Sequence, residues 1–224
     1  MHQKKNKKVF IYIFFFLFLG TINNHTIFDS NLFKIKKFNV LGLDNNFKNE
    51  IESKLYALKQ LNIFYIDKNF LNLVLNSNSL IENYYIFKIY PSTLNIKIKK
   101  TNFLAKLNID GDIFLIGSNG KLTKDFTSSN SEKLPFIFGN PNVDDFLKTY
   151  SIINTSGFKY ESIKNLYFYK SGRIDVKLNN DIILKLPIDN FQYILKKISQ
   201  LLSDTQFNKR IIDARVPNQL ILYD

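Results

Sequence analysis

The sequence contains no cysteine and no tryptophan, and it has only two histidines, one methionine and five prolines among 224 residues. Without cysteine, disulfide bonds and thiolate metal sites are excluded. Both histidines, His2 and His25, lie in the amino-terminal segment, so no histidine is left for a zinc or catalytic site further along the chain. Glycine is also scarce, at eight residues, and no low-complexity linker is evident. We therefore expect neither a metal centre nor a cofactor.

Sequence patterns that mark enzymatic sites are missing as well. There is no Gly-x-x-x-x-Gly-Lys phosphate loop and no Gly-x-Ser-x-Gly nucleophile elbow. Asp110 with Asp112, and Asp144 with Asp145, are close carboxylate pairs, but a turn and a helix start account for them. We expect the protein not to be an enzyme. The alternative, a secreted enzyme with an unrecognised fold, would need a polar cleft with paired titratable groups.

The basic charge of the chain comes almost entirely from lysine. The formal net charge is +12, yet only Arg173, Arg210 and Arg215 are arginines. Arginine is the usual bidentate reader of guanine and phosphate. The lysines also alternate with apolar residues, as in residues 95–99, which is typical of the solvent-facing side of strands. We therefore expect solvated lysine faces and no nucleic-acid partner.

Residues 9–19 form a long uncharged apolar run that contains five phenylalanines. Lys4, Lys5, Lys7 and Lys8 stand directly before it. Because lysine accumulates on the cytoplasmic side of membrane segments, the pattern predicts a basic cytoplasmic tail over residues 1–8. It also predicts a transmembrane anchor over residues 9–28, with the rest of the chain outside the membrane.

The length of this anchor leaves alternatives open. Residues 9–19 rise only about 16 Å as a helix, whereas the hydrocarbon core of a bilayer is about 30 Å thick. Continuing to Phe28 reaches about 30 Å but includes three polar residues, 23–25, which would lie at headgroup depth. A run this short also suits a cleaved signal peptide, although an Ala-x-Ala-like cleavage site is missing. A buried segment of a soluble domain is the third possibility.

Residues 33–100 show extended and helical patterns in the order strand, helix, helix, strand, strand. Strands are predicted over residues 33–40, 81–88 and 94–99, and helices start at Asn45 or Asn46 and after Asp67. The first helix places Phe47, Ile51, Leu55 and Leu58 on one face, and the second turns residues 70, 71, 74 and 75 inward. A three-stranded sheet with both helices on one side would bury both apolar stripes.

Residues 101–224 are dominated by strands, with two helices set between them. Extended segments are predicted over residues 103–109, 113–116, 134–139, 165–169, 173–178, 181–186, 210–216 and 220–223. Helices are predicted over residues 143–153 and 191–202, and residues 123–133 are predicted to be a surface loop. This half therefore forms a second, strand-rich domain.

Several short motifs occur in a definite order along the chain. In the first half they are Val40-Leu41-Gly42-Leu43 and Tyr90-Pro91-Ser92-Thr93-Leu94-Asn95-Ile96-Lys97-Ile98. In the second half they are Leu134-Pro135 leading to Gly139, Leu178-Asn179-Asn180-Asp181-Ile182, and Ile212-Asp213-Ala214-Arg215. The first half resembles a POTRA domain, and the whole chain resembles the bacterial cell-division family FtsQ/DivIB. Lys100 and Phe103 depart from the pattern, which usually has an acidic residue and a proline there.

The resemblance implies an α+β fold: a single amino-terminal transmembrane helix, a β-α-α-β-β POTRA domain over residues 33–100, and an FtsQ-type domain over residues 101–224 with an extended antiparallel sheet. It also implies a non-enzymatic divisome scaffold in the inner membrane at the septum, with its bulk in the periplasm, that binds FtsB and FtsL. Other division proteins would bind the POTRA domain. The alternative is a POTRA-containing protein of outer-membrane assembly or secretion.

The carboxyl-terminal segment is the candidate site. Residues 216–223 carry no charge, and a terminal strand there could lie at a sheet edge with unpaired backbone groups that accept a partner strand. The alternative is a fully paired inner strand, and the sequence leaves both open. In the FtsQ family the last strands receive a strand from FtsB, and Arg215 matches the family's contact arginine. A local ion pair with Asp213 is the competing explanation of Arg215. The resemblance implies seven partner-binding residues: Arg215, Val216, Asn218, Leu220, Ile221, Leu222 and Tyr223.

Overall fold

The computed structural model describes residues 3–22, 31–125, 133–204 and 207–224. The chain divides into two units, Met1–Lys100 and Thr101–Asp224. Each unit has its own hydrophobic core and its own sheet, with helices packed on one face. The predicted α+β class is therefore confirmed.

Helix α1 spans Gln3–Ile22. Every side chain over residues 9–19 is at least 50% exposed, from Ile13 at 50% to Phe16 at 78%. Within the described ranges, no helix is long and apolar enough to cross a membrane. Residues 23–28 of the expected anchor, like residues 1 and 2 of the basic tail, lie outside the described part. The anchor therefore stays a prediction.

Among the described residues, the first unit continues with seven elements: the five expected ones in the expected order, and two short 3-10 helices that the sequence did not predict. They are β1 (Lys37–Leu41), α2 (Asn45–Lys54), two short 3-10 helices (Leu55–Leu58 and Ile63–Tyr65), α3 (Lys68–Asn76), β2 (Ile81–Ile89) and β3 (Thr93–Lys100). The strand order is β1-β3-β2, with β1 parallel and β2 antiparallel to the central β3. Strand β1 begins four residues later than its predicted start, because Ile35 bonds through its backbone to Leu61 and Gln60 rather than to β3.

The core of the first unit lies between the two helices and one face of the sheet. Ile51 on α2 and Leu75 on α3 are fully buried, as are Leu94 and Ile96 on β3. Side chains alternate across a strand, so the residues between them on β3 point to the opposite face. Within the described part of the chain, no helix covers that opposite face.

The described residues of the second unit form nine strands and two α-helices. In chain order they are β4 (Phe103–Ile109), β5 (Asp112–Gly117), β6 (Leu122–Lys124), β7 (Phe136–Phe138), α4 (Val143–Thr155), β8 (Ile163–Phe168), β9 (Ile174–Leu178), β10 (Ile183–Leu186), α5 (Phe191–Leu202), β11 (Ile211–Asp213) and β12 (Ile221–Tyr223). A short 3-10 helix, Tyr160–Ser162, precedes β8. Strand β6 falls at the start of the segment predicted to be a loop, and residues 126–132 of that segment lie outside the described part.

The nine strands form one sheet in the order β12-β11-β10-β9-β8-β7-β4-β5-β6. The prediction of an antiparallel sheet is wrong in part, because β7 is parallel to both β4 and β8, and β10 is parallel to β11. Parallel neighbours need a crossover connection, and α4 and α5 supply it between β7 and β8 and between β10 and β11. Each helix has one apolar stripe, and both stripes pack on the same face of the sheet.

Candidate functional site

The last strand of the chain lies at one margin of the nine-stranded sheet. β12 pairs antiparallel with β11, so that Ile221 lies opposite Asp213, Leu222 opposite Ile212 and Tyr223 opposite Ile211. On its other side, β12 has no neighbouring strand among the described residues. The backbone groups along that margin are therefore available to an added strand. The sequence left open whether the last strand is an edge strand or a fully paired inner strand. In the structure β12 is an edge strand.

The side chains of β12 present apolar surface on both faces of the sheet. Leu222 lies on the same face as Ile212, which is fully buried under the helices, yet Leu222 itself is 40% exposed. Ile221 and Tyr223 point to the helix-free face, where Tyr223 is 47% exposed. An added strand could therefore bury side chains on either face.

Arg215 and Val216 do not lie on a strand, contrary to the predicted extended segment over residues 210–216. β11 ends at Asp213, and the chain turns before β12. Asn218 has a φ of +61°, and the N–H of Gln219 donates to the carbonyl oxygen of Val216 at 3.2 Å. Asparagine tolerates this left-handed conformation, so a turn separates β11 from β12, and the first of the two predicted segments ends three residues early.

An open cavity of about 820 Å³ lies beside this turn. Four of the seven predicted residues line it: Arg215, Val216, Asn218 and Leu220. The three residues of β12 do not, so the predicted set falls into two adjoining groups, a strand margin and a cavity wall. Leu220 also packs against the core of the unit, and therefore helps to hold the start of β12 in place.

The cavity contains exposed apolar side chains that the sequence had not singled out. Ile188, in the loop before α5, is 63% exposed, and Tyr193 on α5 is 58% exposed. The Lys197 ammonium lies 4.6 Å from the centre of the Tyr193 ring. The signal available in the sequence was that Tyr193 falls outside the apolar stripe of the helix, where an aromatic residue has no core to join.

Arg215 makes a close ion pair with Asp213. Its Nε donates to Oδ1 at 2.8 Å and a terminal nitrogen donates to Oδ2 at 2.5 Å, while its backbone N–H adds a bond to Oδ1 at 3.1 Å. The Asp213 side chain is 5% exposed and that of Arg215 is 40% exposed. Hydrogen bonds from Arg215 lower the pKa of Asp213, against the opposing effect of burial. The local pair foreseen as the competing explanation is therefore present, with part of the guanidinium still exposed.

A second buried carboxylate lies close by on the same face of the sheet. Asp175 is 6% exposed, accepts a hydrogen bond from the Tyr169 hydroxyl at 3.2 Å, and lies 3.3 Å from Nε of Arg173. The Arg173 guanidinium also stacks 3.8 Å from the centre of the Tyr169 ring. In register, Lys185 lies between Asp175 and Asp213, so acidic and basic side chains alternate from β9 to β11. These residues could not be connected from the sequence, because the strand order was unknown.

Comparison with known families assigns both units. Residues 33–100 match the model of the POTRA domain, FtsQ-type, and residues 105–215 match the model of the cell division protein FtsQ/DivIB, C-terminal. The chain belongs to the FtsQ/DivIB family. This is a non-catalytic division scaffold family. The second match ends at Arg215, so it covers the strands up to β11 and does not include β12.

A solved structure is similar to part of this FtsQ/DivIB chain. It is the major extracytoplasmic domain of the trans isomer of the bacterial cell division protein DivIB from Geobacillus stearothermophilus. The two share 14% sequence identity, and the similarity covers 47% of this chain and 88% of the other, with a TM-score of 0.32. No curated protein matches the chain.

Proposed function

We propose that this member of the FtsQ/DivIB family is a membrane-anchored, non-enzymatic scaffold of the division septum that captures FtsB- and FtsL-type proteins at the margin of β12. It would link early cytoplasmic division proteins to the later periplasmic ones. The observation that carries the proposal is the position of β12, at the edge of a nine-stranded sheet with Leu222 and Tyr223 exposed.

The edge supports strand addition for a physical reason. A partner segment that pairs with β12 satisfies backbone donors and acceptors on both chains, which gives affinity without requiring a particular sequence. Specificity would then come from side chains beside the strand. Val216, Tyr193 and Ile188 provide apolar surface in the adjoining cavity, and Arg215 offers the exposed part of its guanidinium to an acidic group.

The experiment is capture of co-expressed FtsB- and FtsL-type proteins by the full chain in detergent. A charge in the strand, Ile221→Asp, and truncation after Pro217 should each weaken capture by more than about tenfold. The substitution places a second carboxylate opposite Asp213, and the truncation removes β12. Leu73→Asp is the matched control, since Leu73 is 72% exposed on α3 of the other unit. Capture that survives both changes at β12 would reject this site.

The proposal also places α1 in the inner membrane, with its lysines in the cytoplasm and the two folded units in the periplasm. Its support is the uncharged surface over residues 9–19, where every side chain is at least half exposed, together with the four lysines before it. A helix that is apolar on every side has no polar face to expose to water, and it is more stable when lipid surrounds it. Residues 20–28 would complete the span.

The membrane topology has its own test. In cells, protease added to the periplasm should digest the two units and leave the amino terminus protected. The chain should also stay in the membrane fraction after alkaline washing. A mature chain that is soluble and cleaved near Thr21 would contradict the anchor, while leaving the β12 site open to the capture experiment.

A further inference from the structure

Three segments of the POTRA unit meet at the end of its sheet where β1 begins and β2 ends. The N–H of Ile35 donates to the Leu61 carbonyl oxygen at 3.0 Å, and the N–H of Lys36 donates to the Ser92 carbonyl oxygen at 2.9 Å. We call their joint surface the entry end, because it contains the first described residues after α1. The entry end is formed by residues 31–37, 59–65 and 88–92.

Apolar and aromatic side chains are exposed at the entry end. Leu32 is 62% exposed, Tyr65 is 67% exposed and Tyr90 is 55% exposed. The Phe64 ring joins the three segments, since its centre lies 5.2 Å from that of Phe33 and 5.0 Å from that of Tyr90. Tyrosine has an apolar body and a polar tip, so it favours the boundary between hydrocarbon and water.

The entry end is also basic. Its sequence contains no aspartate or glutamate and five lysines: Lys34, Lys36, Lys37, Lys59 and Lys88. None of the five makes an ion pair with another described residue, although Lys88 donates to the Phe64 carbonyl oxygen at 3.3 Å. Glu52 on α2 borders these lysines, but it pairs with Lys48 at 3.9 Å. The surface therefore suits a partner that is anionic and also offers apolar contact.

The length of the chain keeps the entry end close to the bilayer. The proposed anchor ends at Phe28, four residues before Leu32, and four residues reach at most about 14 Å. The headgroup layer is itself about 5–8 Å thick on each side of the hydrocarbon core. Leu32 therefore lies within a short distance of the headgroups in any orientation of the unit.

We propose that the entry end docks on the outer surface of the membrane that holds α1. Leu32, Tyr65 and Tyr90 enter the headgroup layer, and the lysines contact acidic phospholipid headgroups. The inference rests on the membrane anchor of the proposed function and adds a lipid-binding surface that scaffolding does not require. Docking fixes the orientation of the POTRA unit to the bilayer, which a flexible tether alone would not do.

The test uses tryptophan fluorescence, because the chain has no tryptophan of its own. The full-length Tyr65→Trp chain is reconstituted in vesicles of phosphatidylcholine, with or without phosphatidylglycerol, and quenching by lipids brominated near the headgroup is measured. Leu41→Trp is the matched control, since Leu41 is 49% exposed at the opposite end of β1. Tyr65→Trp should be quenched at least about twofold more than Leu41→Trp, because only the entry end contacts lipid.

Charge reversal tests the role of the lysines. In the Tyr65→Trp chain, Lys36→Glu together with Lys59→Glu should lower the quenching in vesicles that contain phosphatidylglycerol by about half. The same pair should change it little in phosphatidylcholine alone. Lys97→Glu together with Lys99→Glu is the control, because it makes the same change of charge at exposed lysines further along β3. The control should leave the quenching as it was.

Equal quenching of the Tyr65→Trp and Leu41→Trp chains would overturn the proposal, and so would equal effects of the two charge reversals. A blue-shifted Tyr65→Trp emission that brominated lipid does not quench would also overturn it, because a second copy of the chain or another protein would then cover the entry end. The anchor is tested separately, by retention of the chain in the vesicles after alkaline washing. A chain that is retained but not quenched therefore contradicts this inference alone.

Discussion

Asp213, the last residue of β11, accepts hydrogen bonds on both carboxylate oxygens from the guanidinium of Arg215, two residues further along the chain. The backbone N–H of Arg215 reinforces the same contact. The pair therefore closes the end of β11 and sets the direction in which the chain leaves toward β12. Arg215 also lines the cavity, so one residue connects the strand margin with the cavity wall.

Arg215→Ala should lower the free energy of unfolding of the second unit, because it leaves the buried Asp213 carboxylate without its charged partner. Arg215→Lys should lower it less, since lysine keeps the charge but not the two-pronged geometry. Urea unfolding of both variants measures the difference. Equal losses would contradict this expectation and show that the two-pronged geometry, and not the charge alone, stabilises this corner.

The stability of the second unit should also depend on Asp213 in acid. Its folded pKa lies below the ordinary unfolded value of about 3.9, so the stabilisation is complete above that value and is lost as the pH falls through the folded pKa. Asp213→Asn should therefore be less stable at neutral pH but should lose less stability between about pH 4 and pH 2. Urea midpoints measured across this range check it. Parallel curves for the two proteins would contradict it.

Gly139→Ala should destabilise the second unit severely. Gly139 follows β7 with a φ of +92°, and an added Cβ would lie 1.9 Å from the Phe168 carbonyl oxygen on β8. Gly111→Ala is a close control, because Gly111 has a φ of +93° and nothing within 4 Å of the added carbon. We expect Gly111→Ala to cost about 1–2 kcal/mol from the backbone conformation alone. Gly139→Ala should cost at least twice as much in urea unfolding.

Tyr160 should resist ionisation in alkali. Burial raises its pKa well above the ordinary value for tyrosine, and its hydroxyl donates to the Leu104 carbonyl oxygen at 2.9 Å. Because the folded pKa is raised, its contribution to stability is present below the unfolded value of about 10 and falls as the pH rises above it. Tyr160→Phe should cost about 1 kcal/mol at neutral pH and reduce the alkaline loss. Thermal unfolding between about pH 9 and pH 11 measures both effects.

Helices with a strong apolar period could be predicted almost to the residue. The stripe over residues 191–202 gave the bounds of α5 correctly, and Asp67 marked the start of α3 because its side chain accepts from the N–H of Asn69. The helical period repeats several times in such segments, so chance patterns are excluded. The family resemblance rested on short motifs whose physical basis is visible at Gly139, where only glycine fits.

The parts that escaped prediction are those that depend on distant contacts. β6 is three residues long, too short for an alternating pattern to distinguish a strand from a loop, and it overlaps the segment predicted to be a loop. The parallel pairing of β10 with β11, and the edge position of β12, follow from the crossover of α5 and not from any local sequence. The alternation of Asp175, Lys185 and Asp213 likewise exists only once the strands are side by side.

The crossover through α5 also decides how a genetic screen for loss of the proposed FtsB capture should be interpreted. β12 pairs with β11, β11 pairs with β10, and Leu195 and Ile198 of the crossover helix are buried in the core under this sheet. Substitutions at those two buried positions would abolish capture, although neither residue contacts the partner protein. Such a screen would therefore find residues that support β12 as well as residues on its surface. Only substitutions that leave the melting temperature of the protein unchanged identify the contact itself.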